Sequence, residues 1–269
     1  MSDAATFRAR YGPCALVAGA AVGLGAEWSR QIAARGLDVV LVDRDGARCE
    51  ATARAVRDET GVQALPVTLD LGRPDLASAL AAVLADREVG LVVYNAAVGT
   101  VSRFLDLTPA HVQAMLDVNC RGPLFLVHAL APAMVARRRG GIVLMSSMSG
   151  SFGSEQLAVY AATKAFALVV GEALWAELRP HGVDVLVVQP GSTRTPGWQS
   201  SQPAERRSPG PHVMEPGPVV AEALDGLGRD PHLVPGAENR AGAELLAKLP
   251  RRQAVELMSR ITRDLLPNR

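Results

Sequence analysis

Apolar runs of strand length alternate with helical patterns along almost the whole chain, and this alternation most constrains the fold. Strand-like runs are predicted at 14–18, 38–43, 62–67, 90–95, 141–147, 183–189 and 232–235. Helical patterns are predicted near 24–35, 46–60, 74–86, 109–138, 157–179 and 217–227. Strands joined through helices form a parallel sheet that is covered on both faces. We therefore expect an α/β fold with a doubly wound parallel sheet of about seven strands.

Length, charge and cysteine content narrow the class of protein further. The 269 residues fit one domain better than two, and hydrophobic residues, at 48%, can fill a large core. A net charge of +1 gives no case for nucleic-acid binding. The three cysteines, Cys14, Cys49 and Cys120, match no metal spacing, so no metal site is expected. Reduced thiols and a cytoplasmic location follow as the default.

Apolar segments give no reason to expect a membrane protein. No run approaches the roughly 18 charge-free residues that a membrane-spanning helix needs. The nearest, Gly122 to Ala136, is predicted to be a buried helix. Residues 1–10 lack the apolar core of a secretory signal. We expect no transmembrane segment.

A glycine-rich turn follows the first predicted strand. Gly19, Gly23 and Gly25 lie between the run 14–18 and a helical pattern. In this order, glycines allow close approach of the backbone to a ligand, and the helix N-terminus presents free N–H groups to a phosphate. The second strand ends in Asp43, about 20 residues past the glycines, where a carboxylate would bind a ribose diol. The turn, the helix and Asp43 together predict a Rossmann-type dinucleotide site.

Tyr160 and Lys164 form the second motif. Positions four apart lie on one face of a helix, so we expect the ammonium to lower the pKa of Tyr160. A phenol tuned in this way can exchange a proton with a substrate near neutral pH. The chain has 28 Lys+Arg, but only two are lysines, and arginine cannot supply a compact ammonium. The alternative is an exposed helical pair with no role.

Taken together, the chain resembles the short-chain dehydrogenase/reductase family over about residues 12–236. Gly19-x3-Gly23-x-Gly25 resembles the glycine motif of that family, and Tyr160-x3-Lys164 resembles its catalytic pair. Asn119 and Ser147 fall where the family has its catalytic asparagine and serine. These four landmarks are in the family's order.

Three further segments carry the same resemblance. Asp70-Leu71 follows the third strand, where the family contacts adenine. Tyr94-Asn95-Ala96-Ala97 resembles the family's Asn-Asn-Ala-Gly, with departures at both ends. The segment from Pro190 to Thr195 resembles the Pro-Gly-x-x-x-Thr segment that closes over nicotinamide. Because all of these follow predicted strand ends, we expect them to meet in one crevice.

The resemblance implies hydride transfer between nicotinamide and a carbon that bears oxygen. Tyr160 would be the general acid or base, and Lys164 would lower its pKa and hold the nicotinamide ribose. Ser147 would donate a hydrogen bond to the substrate oxygen. Asn119 would anchor a water that relays protons from Lys164.

The implied cofactor is NAD rather than NADP. Asp43 can bind both ribose hydroxyls and would repel a 2′-phosphate. Ala21 is uncharged, where many NADP users of the family carry a basic residue. Arg44 stands where NADP-preferring members of the family often have arginine, although Asp45 is near enough to pair with it. The expected cofactor-binding residues are Gly19, Gly23, Leu24, Gly25, Asp43, Arg44, Asp70, Leu71, Asn95, Ala96, Ala97, Tyr160, Lys164, Pro190, Gly191, Thr193 and Thr195.

Two segments lie outside these motifs. The stretch 196–218, rich in proline and glycine, is predicted to be a substrate lid, with an inert loop as the alternative. Residues 239–269 form a basic extension with apolar stripes at helical spacing. These helices are expected to pack on the domain; lying on an anionic membrane is the alternative.

We therefore predict an NAD(P)-dependent oxidoreductase that acts on a secondary alcohol or ketone. One alternative is a membrane-surface reductase of acyl or sterol-like ketones, suggested by Trp198 and the basic extension. The other is a catalytically silent, cofactor-binding regulatory protein, which the intact Ser147, Tyr160 and Lys164 argue against. Because the helices predicted at 109–138 and 157–179 are long and apolar, we also expect a homo-oligomer, a tetramer or a dimer.

Overall fold

The computed structural model describes residues 4–84, 87–201 and 213–265. Within these ranges, seven strands form one sheet in the order β3-β2-β1-β4-β5-β6-β7, and every pairing is parallel. The strands are β1 (Cys14–Ala18), β2 (Asp38–Asp43), β3 (Ala64–Thr68), β4 (Val89–Tyr94), β5 (Gly140–Met145), β6 (Val183–Val188) and β7 (His232–Leu233). The predicted doubly wound α/β fold is confirmed, with strand bounds that differ by no more than two residues.

One helix precedes the first strand, and others connect the strands and follow the last one. They are α1 (Ala4–Tyr11), α2 (Gly23–Ala33), α3 (Gly46–Thr60), α4 (Leu76–Leu84), α5 (Pro109–Leu116), α6 (Gly122–Arg137), α7 (Ala158–Leu178), α8 (Pro196–Ser201), α9 (Pro216–Gly226), α10 (Ala237–Lys248) and α11 (Arg251–Leu265). A π-helical turn at Asp117–Arg121 joins α5 to α6, so the single helix predicted at 109–138 is divided.

The core lies on both faces of the sheet. Helices α1, α2, α3 and α9 bury apolar side chains on one face, with Trp28 and Ile32 fully inside. Helices α4, α6 and α7 cover the other face, where Leu126 and Met134 are fully buried. Because the central strands are covered on both sides, they read as continuous runs of Val, Leu and Ile rather than as alternating patterns.

Two helical stretches, Pro109–Arg137 and Ala158–His181, are long and apolar enough by composition to span a membrane. Both belong to the helices that pack against the sheet. On α7, Gly171 faces Val187 so closely that a Cβ at this position would overlap with the valine side chain. The apolar side chains of these helices therefore lie partly in the core and partly on an outer surface described below.

Helix α1 was not predicted, and a buried carboxylate holds it. Asp184, at the start of β6, accepts hydrogen bonds from Arg10 Nε at 2.5 Å and from the Tyr11 hydroxyl at 2.6 Å. Asp184 is 7% exposed, so the ion pair and the hydrogen bond offset the cost of burying its charge. The short, weakly apolar sequence of α1 gives no local signal for this contact.

The basic extension folds as the helical pair α10 and α11. Leu246, Ala254 and Met258 are buried in a small cluster with Phe152 and Leu249. This cluster packs part of the extension against Phe152, while Leu245 and Ile261 of the same apolar stripes stay 59% and 38% exposed. Of the predicted lid, α8 and residues 213–218 are described, whereas 202–212 lie outside the described residues.

Candidate active site

The glycine-rich turn lies between β1 and α2 and has the geometry of a phosphate cradle. Gly19 and Gly23 have positive φ values of 82° and 60°, which side chains rarely adopt. A Cβ on Gly25 would overlap with the carbonyl oxygen of Gly19. Helix α2 begins after Val22, which offers no side-chain cap. The first N–H groups of α2 therefore remain available to an anion, and a pyrophosphate fits this turn.

Asp43 ends β2 beside that turn. Its two carboxylate oxygens accept hydrogen bonds from the Ala21 backbone N–H at 3.0 Å and the Asp45 N–H at 3.1 Å. The carboxylate thus orders the turn while each oxygen keeps a free lone pair for a hydroxyl donor. Asp45 pairs with Arg48 over 3.5 Å and caps α3. Arg44 is exposed and forms no ion pair within the described residues.

The residues expected to contact the adenine follow β3, and the other expected cofactor-binding residues of this region follow β4. Leu71 is buried, whereas Asp70 is exposed and accepts a hydrogen bond from the Gly72 N–H over 2.8 Å. Asn95 donates from Nδ2 to the Gly19 carbonyl over 2.8 Å, which ties the end of β4 to the glycine turn. Ala96 packs directly against Gly19 and Ala97 is exposed. Leu24 packs on the core below the turn.

Ser147 and Tyr160 meet beyond the carboxyl end of β5. Ser147 leaves the strand in extended conformation, and its hydroxyl accepts a hydrogen bond from Ser149 Oγ at 2.9 Å. Burial raises the pKa of Tyr160, and a hydrogen bond with the Ser147 side chain lowers it in part. The phenol and the serine hydroxyl therefore face the same space, although 13 residues of chain separate them.

Lys164 lies one helical turn after Tyr160 on α7 and is 4% exposed. Its ammonium donates a hydrogen bond to the Met145 carbonyl over 2.8 Å and lies 5.6 Å from the centre of the Tyr160 ring. Burial lowers the pKa of Lys164 to about 8, partly opposed by the nearby Cys120. The pKa of Tyr160 is raised and not lowered as expected, because burial of the phenol is the largest effect on it.

Asn119 lies in the π-helical turn and is buried. Its Oδ1 accepts from the Val98 N–H, and its Nδ2 donates to the Val98 carbonyl, both over 2.8 Å. The same Nδ2 is 3.0 Å from Thr163 Oγ1 on α7. The side chain thus joins the loop after β4 to the helix that carries Tyr160 and Lys164. This pairing could not be inferred from the position of Asn119 in the sequence.

The segment after β6 reaches the glycine turn. Thr195 packs against Gly23 and caps α8 by accepting a hydrogen bond from the Trp198 N–H over 3.2 Å. Thr193 is buried and pairs with Met214, while Gly191 packs against Asn239. The Pro190 carbonyl accepts a hydrogen bond from the Met148 N–H over 3.1 Å. The end of β6 is thereby joined to the loop that follows Ser147.

Two residues near this site were not singled out in the sequence. Gln189, directly before Pro190, is buried and approaches the Ser147 backbone. Gly99 lies against the Tyr160 ring, since a Cβ added there would come within 3.3 Å of its edge. The position of Gln189 beside the Pro190-Gly191 motif was the only available signal for either residue.

A parallel sheet with a phosphate cradle at α2 and a Ser-Tyr-Lys group beyond β5 defines a dinucleotide-dependent oxidoreductase. The family model of the short chain dehydrogenases matches residues 13–206. The chain belongs to the short-chain dehydrogenase/reductase family. It is an enzyme that transfers a hydride between NAD(P) and an alcohol or ketone.

Relatives within the family include hydroxysteroid enzymes. The chain is 31% identical over 234 residues to a 7β-hydroxysteroid dehydrogenase of Clostridium sardiniense, covering 87% of this chain and 89% of that protein. A solved structure from a study of 7β-hydroxysteroid dehydrogenase stereoselectivity superposes with a TM-score of 0.86 at 29% identity, covering 93% and 98% of the two chains. A short-chain dehydrogenase from Sphingobium yanoikuyae, solved with NADPH, has a TM-score of 0.75 at 32% identity and covers 89% and 96%.

Proposed function

We propose that this enzyme interconverts a bulky secondary alcohol and its ketone, with Tyr160 as the general acid or base. The observation that carries the proposal is the meeting of Ser147, Tyr160 and Lys164 at the end of β5. The nicotinamide supplies or accepts the hydride when it is bound. Tyr160 gives its proton to the substrate oxygen in reduction and takes it back in oxidation.

Ser147 and Lys164 support that proton transfer in different ways. The Ser147 hydroxyl is placed to donate a hydrogen bond to the oxygen on which negative charge develops. The Lys164 ammonium, already in contact with Met145, would also hold the nicotinamide ribose. With its pKa near 8, Lys164 can exchange a proton close to neutral pH. Lys164 is therefore suited to restoring the protonation state of Tyr160 after each turnover.

Asn119 has a supporting role in the proposal. Its amide is engaged with Val98 and Thr163, so it keeps the loop after β4 in place against α7. The π-helical turn around it departs from the regular backbone pairing of an α-helix, and such turns are frequent at functional sites. We propose that the water that relays protons from Lys164 is anchored at Asn119, within this turn.

For the cofactor, we propose NAD in preference to NADP. Asp43 stands beside the glycine turn with free lone pairs for a ribose diol, and a 2′-phosphate would meet its negative charge. Arg44 is the feature that favours NADP, because it is exposed and has no ion pair within the described ranges. Equilibrium titrations with NAD and NADP show whether the Asp43 carboxylate or the Arg44 guanidinium determines the cofactor preference.

The substrate class rests on the relatives. The similarity to 7β-hydroxysteroid dehydrogenases extends over most of both chains, and a structural neighbour at 29% identity is a bulky-bulky ketone specific alcohol dehydrogenase of Comamonas testosteroni. We propose a polycyclic or similarly bulky alcohol, with α8 as part of a substrate lid.

The test is a screen of alcohols and ketones in which turnover is monitored through the absorbance of the nicotinamide. Bulky hydroxysteroids and their ketones are compared with short-chain alcohols and with sugar alcohols. Turnover of the bulky class with KM well below that of the small class is the expected result. Equal rates for all classes would contradict the substrate assignment, and no turnover with any of them would contradict catalysis itself.

We further propose that the enzyme is a cytoplasmic homo-oligomer, a dimer or a tetramer, that binds no nucleic acid. Leu116, Leu124 and Phe125 around the start of α6 are between 42% and 45% exposed, and Val169 on α7 is 63% exposed. Apolar side chains gathered on helix surfaces in this way are suited to contact with a second copy. Light scattering tests the assembly.

A further inference from the structure

Gln189 links three elements around the catalytic serine. It is 3% exposed and follows the last residue of β6. Its Nε2 lies 3.3 Å from the backbone carbonyl oxygen of Ser147 and 3.3 Å from Ser151 Oγ. Its Oε1 lies 2.5 Å from Nε2 of His232 on β7. A buried glutamine thus has all of its polar groups directed at named partners.

The partners determine which way the Gln189 amide points. The Ser147 carbonyl oxygen can only accept a hydrogen bond, so the Gln189 NH₂ group must face it. The Gln189 oxygen then faces His232, and His232 must donate from Nε2. The tautomer of His232 with the proton on Nε2 follows from this chain of contacts. Protonation of the histidine would leave the same donor in place.

The backbone around Ser147 is held by β6 and the residues that follow it. The Ser146 N–H donates to the Val188 carbonyl over 2.8 Å, and the Met148 N–H donates to the Pro190 carbonyl over 3.1 Å. Between them, the Ser147 carbonyl oxygen accepts a hydrogen bond from the Gly150 N–H over 2.8 Å and a second one from Gln189 Nε2 over 3.3 Å. The Gln189 side chain therefore adds a contact to a peptide group that the following turn also holds, and it joins that group to Ser151 and to β7.

We propose that Gln189 is a positioning residue that aligns Ser147 with the Tyr160 phenol, and that His232 holds Gln189 in the required orientation. The proposal rests on the proposed role of Ser147. Ser147 leaves the strand in extended conformation, and a displacement of its backbone would move its Oγ relative to the Tyr160 phenol. Misplacement of a catalytic group by about 1 Å can lower a rate by about a hundredfold.

The experiment is a double-mutant cycle between Gln189 and Ser147, measured with the alcohol or ketone that the screen identifies. Gln189→Leu is expected to lower kcat about tenfold or more, with the Kd of the cofactor changed by less than about twofold. In the Ser147→Ala background, the same substitution should change kcat by less than about twofold, because Gln189 acts through Ser147.

Four further variants test the same proposal. Gln189→Glu retains the acceptor for His232 but turns an oxygen toward the Ser147 carbonyl, and it should lose as much kcat as Gln189→Leu. His232→Gln preserves an N–H donor and should retain more activity than His232→Phe. Gln31→Leu is the matched control, since Gln31 is also buried and bonds the Gly217 carbonyl over 2.9 Å, far along the chain from this site. It should leave kcat unchanged.

The possible failures are distinguishable. Equal losses from Gln189→Leu in both backgrounds, or no loss in either, would overturn the positioning role. Full activity of Ser147→Ala alone would instead overturn the proposed role of the serine. If Gln189→Leu does not fold, the decision falls to Gln189→Glu and to the two His232 variants, which must rank as stated.

Discussion

The Lys164 ammonium donates a hydrogen bond to the Met145 carbonyl oxygen over 2.8 Å. This contact ties the helix that carries Tyr160 to the end of β5, which carries Ser147. It also places a charged group where it is 4% exposed to solvent. Lys164 therefore holds the site together and also lowers the stability of the folded protein, and both effects can be measured.

Lys164→Met is expected to stabilise the protein while abolishing turnover. The pKa of Lys164 is lowered from 10.5 to about 8, so at neutral pH folding buries a charge that water would favour. Relief of that burial contributes about 3 kcal/mol, and loss of the hydrogen bond to Met145 takes back about 1 kcal/mol. Denaturant unfolding at pH 7 should show a net gain of about 2 kcal/mol.

The pH dependence of that gain gives a second measurement. The folded pKa lies below the unfolded one, so the destabilisation is complete below about pH 8, where Lys164 is protonated in both states. It declines as pH rises from about 8 to 10.5, where the folded state loses its proton first. The stability difference between wild type and Lys164→Met should shrink across this window. A difference that is constant with pH would contradict the lowered pKa.

Lys164→Arg is expected to lower kcat severely although the charge is kept. The guanidinium spreads its charge over a planar fork and cannot repeat the compact contact with Met145. It also cannot give up its proton near neutral pH. Steady-state kinetics measure the loss. Lys248→Arg is the matched control, because Lys248 is exposed on α10, and it should be fully active. A fully active Lys164→Arg enzyme would show that neither property of lysine is needed.

Tyr160→Phe should remove turnover and leave cofactor affinity nearly unchanged. The phenol is the proposed proton donor, whereas the ring surface beside Gly99 is retained in phenylalanine. Loss of a general acid or base costs about 10²–10⁴-fold in rate. Single-turnover kinetics and a cofactor titration on one preparation measure both quantities. Retention of more than about a tenth of the wild-type kcat is incompatible with this role.

Asp43→Ala should weaken NAD binding and strengthen NADP binding. The substitution removes the ribose ligand and the repulsion of a 2′-phosphate, and Arg44 is then free to meet the phosphate. Because Asp43 also accepts from the Ala21 N–H, Asp43→Asn is measured beside it: the amide can still accept there but lacks the charge. Tighter binding of NADP than of NAD by the wild type would show that Arg44 dominates.

Phe125→Asp together with Val169→Asp should reduce the oligomer to monomers. Phe125 is 45% exposed and Val169 is 63% exposed, and a carboxylate at each would be buried without a partner in the assembly. Leu105→Asp is the control, because Leu105 is 84% exposed and lies outside these helices. Wild-type scattering at the single-chain mass of 28.3 kDa at every concentration would refute the assembly.

Local sequence pattern determined the order of strands and helices and the main motifs of this protein. Strand-length runs of Val, Leu and Ile require burial on both faces, and the glycines before α2 permit backbone angles that few other residues adopt. Tyr160 and Lys164 could be paired because four residues make one turn of a helix. Each of these signals lies within a few consecutive residues, so it needs no knowledge of distant parts of the chain.

The tertiary structure alone decided how the site is supported and how its groups titrate. The contacts of Asn119 with Val98, of Gln189 with Ser147 and of Asp184 with α1 join residues that are between 21 and 174 positions apart. No periodicity relates such positions, because the chain between them can close in many ways. The raised pKa of Tyr160 likewise depends on burial by surrounding elements, which no local pattern around Tyr160 indicates.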